Sequence, residues 1–166
     1  AINSMIGSSY TGCTGDIGGF SLNYHKHIHC GEGGVLVTND DELALRMRLI
    51  RNHGEAAQEG LGTNYTSIIG FNFRLGEIEC AIASEQMKKL DALTSRRQEI
   101  AHRLSVALHD IPNITLPSER VNGTHVYYLY PIILKDPLIS KREKIVKALA
   151  AEGVEGVMAG YQLIHR

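Results

Sequence analysis

Apolar and polar positions along this chain change period several times, and each change predicts an element. Gly18-Gly19-Phe20-Ser21-Leu22 and Val35-Leu36-Val37-Thr38 read as short strands. The second is β-branched and apolar, which predicts a buried strand. Asn39 with Glu42 three residues later has the form of a capping box with Asn as cap. A helix to about Asn52 is therefore expected, with Leu43, Met47 and Ile50 as its inner face and Gly54 as its stop. Residues 55–74 show no clear period and read as a long loop; loops of that length in a compact domain are usually functional or disordered.

From Glu77 to Ile111 there is neither glycine nor proline. Ile78, Ile82, Leu90, Leu93, Ile100, Leu104 and Leu108 recur at helical spacing. The pattern predicts one long amphipathic helix, or two nearly collinear ones, ended by Pro112. His125 to Leu134, rich in Tyr, Val and Ile, reads as a strand, and Pro131 suggests an edge or a bulge. Ser140 with Glu143 predicts a capped helix to Glu152, closed by Gly153.

Composition narrows the class. The 166 residues are 43% hydrophobic and 21% charged, an ordinary globular mixture. The formal net charge is -1 with scattered basic residues, so there is no basic stripe of the kind nucleic acid requires. No apolar run approaches the length of a membrane span. The opening residues lack the charged and apolar regions of a signal peptide. Three cysteines without close pairing argue for a reducing compartment, which makes the cytoplasm the expected location. Thirteen of the 17 glycines fall in residues 1–76, so tight turns that could wrap a ligand concentrate there.

The informative stretch is Gly15-Asp16-Ile17-Gly18-Gly19-Phe20-Ser21-Leu22-Asn23-Tyr24-His25-Lys26-His27-Ile28-His29-Cys30-Gly31-Glu32-Gly33-Gly34. It reads as a strand, a lysine-bearing loop, a glycine cluster and a second strand. An isolated lysine is ordinarily a solvated surface charge. A lysine crowded among three histidines is less ordinary, because burial or neighbouring charge would leave its amine nucleophilic. His25-x-His27-x-His29 with Cys30 is also a candidate metal cluster. Three alternating ligands suit tetrahedral geometry poorly, and no second cluster completes the set, so no metal is expected. The glycine cluster lacks the G-K-[ST] ending of a phosphate loop and fits close strand packing better.

The whole string resembles the Schiff-base segment of the sugar aminotransferase (DegT/StrS) family, which typically reads G-D-I-G-x-F-S-F, a few residues, K, then G-E-G-G. Two further blocks are similar: Arg51-Asn52-His53-Gly54 to R-N-H-G, and Gly70-Phe71-Asn72-Phe73-Arg74-Leu75 to G-Y-N-Y-R-M. A weaker similarity reaches Gly160-Tyr161. The resemblance implies an α/β enzyme of the pyridoxal-phosphate-dependent, aspartate aminotransferase-like fold type I. Residues 1–92 would be the C-terminal part of the large cofactor domain, and residues 93–166 the start of the α+β small domain.

By the same resemblance Lys26 holds pyridoxal 5'-phosphate as a Schiff base and carries the proton during transfer. Ser21 binds the cofactor phosphate. Asn72 reaches the phosphate bound in the neighbouring subunit, so a homodimer is implied, and Arg74 is a structural or phosphate-side partner of that loop. The amino donor would be glutamate or glutamine and the acceptor a keto-sugar, usually nucleotide-linked. A dehydrating branch of the family carries histidine where the lysine stands; Lys26 therefore points to amino transfer.

The family chain is more than twice this length. Its pyridinium-binding acid would fall at or before Ala1, with Met5-Ile6-Gly7 just after the E-D-x-A-Q motif and Asn3-Ser4 near its Gln. The chain is accordingly expected to be a fragment. A second class of reading is a non-catalytic dimerisation fragment built on the long helix. Arg97 interrupts that helix's heptad seam, and a pure interaction module has no need of Ser21 and Lys26 at fixed spacing.

Overall fold

The computed structural model describes residues 1–55 and 68–160. Most of the expected 55–74 loop, and Tyr161 of the weak C-terminal similarity, lie outside the described residues. The fold is α/β. Its elements in order are β1 (Met5–Ile6), β2 (Ser9–Tyr10), β3 (Gly18–Ser21), β4 (Gly34–Val37), α1 (Asp41–Arg51), α2 (Glu77–Met87), α3 (Leu90–Leu108), β5 (Ile114–Thr115), β6 (Gly123–Thr124), β7 (Ile133–Leu134), and α4 (Arg142–Ala151) after a 3₁₀ turn at Ile139–Lys141. Strand order is β2-β1-β6 in one sheet, and β3-β4 and β5-β7 in two others, with every pair antiparallel.

Two compact units result. One comprises residues 1–100 and 119–128, the other 101–118 and the residues from 129 on. Segment 119–128 falls in the first unit, where β6 pairs with β1, Met5 opposite Thr124.

The first two expected strands form, and they pair with Ser21 opposite Gly34 and Gly18 opposite Val37. Burial of the second does not follow: Val35 and Leu36 are exposed. In a two-stranded ribbon, β-branching favours the extended backbone without supplying a layer to cover it.

Helix α1 starts one residue later than expected. Asp40, not Asn39, is the cap, and its carboxylate accepts the Leu43 N–H at 2.9 Å. Thr38 accounts for the shift. Its hydroxyl donates to the Asp16 carbonyl at 2.6 Å and accepts the Asp40 N–H at 3.1 Å, which holds the chain extended up to Asp40. The buried residue of the helix is Leu49, while the expected Ile50 is exposed.

The long helical stretch divides into α2 and α3 around Lys88 and Lys89, where the Lys89 N–H turns back to the Gln86 carbonyl. The expected apolar stripe is not the packed face. Leu90 is buried, but so are Thr94 and Ala101, whereas Ile78, Leu93, Ile100 and Leu104 are exposed. In the first unit α3 binds its neighbours through polar groups: Gln98 donates to the His125 carbonyl at 3.0 Å and Arg97 to the Tyr127 carbonyl at 3.2 Å.

The expected strand over 125–134 is broken. Only its last two residues, Ile133 and Leu134, are strand, paired with β5. Tyr127 takes φ +47°, which a strand cannot contain, and Pro131 has no N–H for a ladder. Ser140 does not cap α4. It lies inside the 3₁₀ turn, and the extended backbone of a capping residue is unavailable there. Gly153 closes α4 as expected: its N–H bonds the Ala150 carbonyl and that of Val154 the Leu149 carbonyl.

Candidate active site

The lysine-bearing loop is built on three buried residues. Leu22, Ile28 and Cys30 form a small core with Leu90 of α3, and Ile2, Leu75 and Ala83 pack against it. Ile28 is 0% exposed. The Leu22 backbone is pinned twice: its N–H donates to the Gly33 carbonyl at 2.8 Å and its carbonyl accepts the Cys30 N–H at 3.1 Å. The loop therefore closes onto the end of the β3-β4 ribbon. A Cβ on Gly33 would stand 3.0 Å from the Cys30 sulfur and 3.2 Å from Leu75, so this glycine permits close packing.

Asn23, which is not among the site residues named above, organises the turn. Its N–H donates to the Ser21 hydroxyl at 3.2 Å and its carbonyl accepts the Lys26 N–H at 2.9 Å. Its side-chain oxygen accepts the His25 N–H at 3.1 Å, while its amide donates to Glu32 at 2.7 Å. One asparagine thus ties Ser21, Lys26 and the glycine cluster together. The signal was available, since Asn two residues before a polar turn position is the form of an Asx-turn.

Lys26 is half-buried. Its amine lies 3.5 Å from the Tyr128 hydroxyl and 4.6 Å from the centre of that ring. His27 meets the same ring edge-on, with centroids 5.8 Å apart. No local pattern marks Tyr128, which reads from sequence as an ordinary strand residue and is brought to Lys26 across 102 positions.

The three histidines lie in the loop of residues 22–33. His25 is exposed and lies tilted against the Tyr24 ring, whereas His27 and His29 are partly buried. His27 Nε2 and His29 Nδ1 are buried with no hydrogen-bond partner. Burial first, then the Arg97 guanidinium, holds His27 below its ordinary value, against a backbone hydrogen bond at Tyr127 that raises it. Burial, reinforced by Glu79, pushes the Cys30 thiol up. Among the described residues no group of three His, Cys, Asp or Glu side chains could hold a metal.

Asn72 and Arg74 are gathered elsewhere, at the end of α1, where the two remaining motif blocks meet. Phe71 donates to the Ile50 carbonyl at 2.7 Å and accepts the His53 N–H at 2.9 Å. Phe73 donates to the Arg51 carbonyl at 2.9 Å, and Asn52 bridges Asn72. Arg74 donates to the Asn52 side-chain oxygen at 2.7 Å. Glycine is required at this crossing. A Cβ on Gly54 would run into the Ile68 carbonyl oxygen, one on Gly70 would strike the Gly54 nitrogen, and Gly54 itself sits at φ +73°. Leu75, which ends this block, joins the core under the lysine loop.

A sequence profile of the DegT/DnrJ/EryC1/StrS aminotransferase family matches residues 1–166. The chain belongs to that family. GDP-perosamine synthase of Caulobacter vibrioides is 33% identical over 155 residues, which is 90% of this chain and 41% of that protein. The solved structure of Helicobacter pylori PseC, an aminotransferase involved in the biosynthesis of pseudoaminic acid, superposes with a TM-score of 0.81 at 27% identity. The match covers 99% of this chain and 48% of that one. Escherichia coli GDP-4-keto-6-deoxy-D-mannose-3-dehydratase, solved with bound hydrated PLP, gives a TM-score of 0.80 at 26% identity, covering 92% and 42%. The fold is thus that of the fold type I pyridoxal-phosphate enzymes, and pyridoxal phosphate is the cofactor of this DegT-family fold. The chain spans less than half the length of each of these relatives.

The residues present suit two ends of that cofactor. The Ser21 hydroxyl is exposed and uses one lone pair on Asn23, which leaves its O–H able to donate to a phosphate oxygen. The Lys26 amine has no carboxylate partner among the described residues and is available to an aldehyde.

Proposed function

We propose that these residues belong to a pyridoxal-phosphate-dependent sugar aminotransferase, in which an amino group passes from glutamate or glutamine to a keto-sugar, nucleotide-linked, for amino-sugar and polysaccharide biosynthesis. The observation that carries this reading is the turn in which Asn23 holds Ser21 and Lys26 at their family spacing. Ser21 would donate to the cofactor phosphate, and Lys26 would bond to its aldehyde carbon. Bound there, pyridoxal phosphate supplies an electron sink for the pair left on the donor α-carbon. Once released from the cofactor by the incoming donor, the Lys26 amine would serve as the base that carries the proton away from that carbon. Asn72 would serve the phosphate of a neighbouring subunit, which makes the working form a homodimer, and the cytoplasm is its location. Residues 1–92 would belong to the cofactor domain and 93–166 to the small domain. No helix among the described residues is long and apolar enough to cross a membrane.

Lysine rather than histidine at position 26 favours amino transfer over the dehydration carried out by some relatives. The test is borohydride reduction of the complete protein with pyridoxal phosphate, followed by peptide mapping. The reduced adduct is expected on Lys26, and Lys26→Ala should abolish both the visible absorbance and transfer of nitrogen to the sugar. An adduct on another lysine would overturn the assignment. An intact adduct with a deoxygenated, nitrogen-free product would replace transfer by dehydration.

A further inference from the structure

We propose that Tyr128 is a positioning residue for the Lys26 amine, holding it on the face of its ring whenever that amine is not bonded to the cofactor. The inference rests on the functional reading above and extends it to a residue outside all three motif blocks.

The geometry favours the ring over the hydroxyl. At 4.6 Å from the ring centre the amine is well inside the range of about 6 Å over which a cation is drawn to an aromatic face. The hydroxyl contact, at 3.5 Å, stands at the outer limit of a hydrogen bond. No carboxylate among the described residues competes for the amine. His27, on the edge of the same ring, is kept towards its neutral form by burial and Arg97, so it adds no like charge beside Lys26.

The segment that delivers Tyr128 is held with unusual redundancy. Tyr127 adopts φ +47°, a left-handed conformation that bulky residues rarely take and that persists only where the surroundings enforce it. Its N–H donates to His125 Nδ1 at 2.9 Å, its hydroxyl to Glu119 at 3.2 Å, and its carbonyl accepts from Arg97 at 3.2 Å. Gln98 fixes the His125 carbonyl, and Val126 is buried. Each of these contacts holds the bend, and the bend turns the next residue onto Lys26. A lysine side chain has four rotatable bonds, and a free amine would otherwise spend much of its time away from the reacting carbon. Resting it on a fixed ring confines it to one position beside the lysine loop.

The test uses the complete protein with bound pyridoxal phosphate. Glutamate is mixed in, and the change of the visible band is followed by stopped flow. Tyr128→Phe keeps the ring and should react within about threefold of the parent. Tyr128→Leu and Tyr128→Met fill the space without a π-face and should slow the limiting rate by roughly tenfold, with little change in the glutamate concentration giving half that rate. Bound cofactor and the borohydride adduct on Lys26 should be unchanged in all three. Two apolar variants are used so that poor folding of one leaves the other to decide. A limiting rate unaltered in Leu or Met, or a tenfold loss in Phe, would overturn the role of the ring. Failure of the parent itself to give the Lys26 adduct would instead overturn the functional reading, and this inference with it.

Discussion

Ile28 is the residue on which the lysine loop depends for its place, and its truncation gives the most direct check of that view. The side chain is fully buried, between Leu22, Cys30 and Leu90, two residues after Lys26. Ile28→Val removes one methylene and should cost about 1 kcal/mol. Ile28→Ala removes three carbons, roughly 2.4 kcal/mol at about 0.8 per methylene, and the residual cavity raises this to about 3–4 kcal/mol. A domain stable by about 5–15 kcal/mol survives that loss, so the variant can be studied folded. Urea melts of the complete protein give the two costs from the shift in midpoint at constant slope. Borohydride labelling of Lys26 on the same samples reports whether the loop keeps its place. Valine should retain labelling close to the parent, and alanine should lose much of it while the protein stays folded. If Ile28→Ala costs under about 1 kcal/mol, the loop is held by Asn23 and its hydrogen bonds, not by its apolar anchor, and the reasoning fails.

Three further outcomes follow from the geometry. Asn23→Ala removes two side-chain hydrogen bonds, to Glu32 and from the His25 N–H, and should cost about 1–3 kcal/mol in a denaturant melt; Asn23→Asp, which keeps only the acceptor and faces Glu32 with a like charge, should recover little of it. Gly54→Ala places a methyl against the Ile68 carbonyl at a positive φ and should destabilise by at least about 2 kcal/mol, read as a lowered urea midpoint. His27 is held below its ordinary value, so the unfolded chain binds its proton more readily; the stability it contributes is complete above about pH 6.5 and is lost as pH falls. His27→Gln should therefore flatten the fall in melting temperature between about pH 6.5 and 5, and an unchanged slope would count against that assignment.

Spacing in the chain was enough to place the elements whose cause is local. The ribbon of β3 and β4, the turn between them that carries Lys26, the start of α2 near Glu77 and the stop at Gly153 depend on residue types within a few positions, and they formed where expected. Membership of the family was legible for the same reason, because its motif blocks are contiguous. Three-dimensional packing decided the rest. The cap of α1 moved to Asp40 because Thr38 found a partner in Asp16, 22 residues away. The strand over 125–134 broke because Arg97, Gln98 and Glu119 enforce a bend at Tyr127 that no local propensity favours. Lys26 met Tyr128, and the R-N-H-G block met the segment at Phe71, through contacts whose partners are far apart in the chain. Periodicity shows that a helix such as α3 has an apolar stripe, but it carries no information about which neighbour covers that stripe. Among the described residues Thr94 and Ala101 lie inside while Leu93 and Ile100 face out.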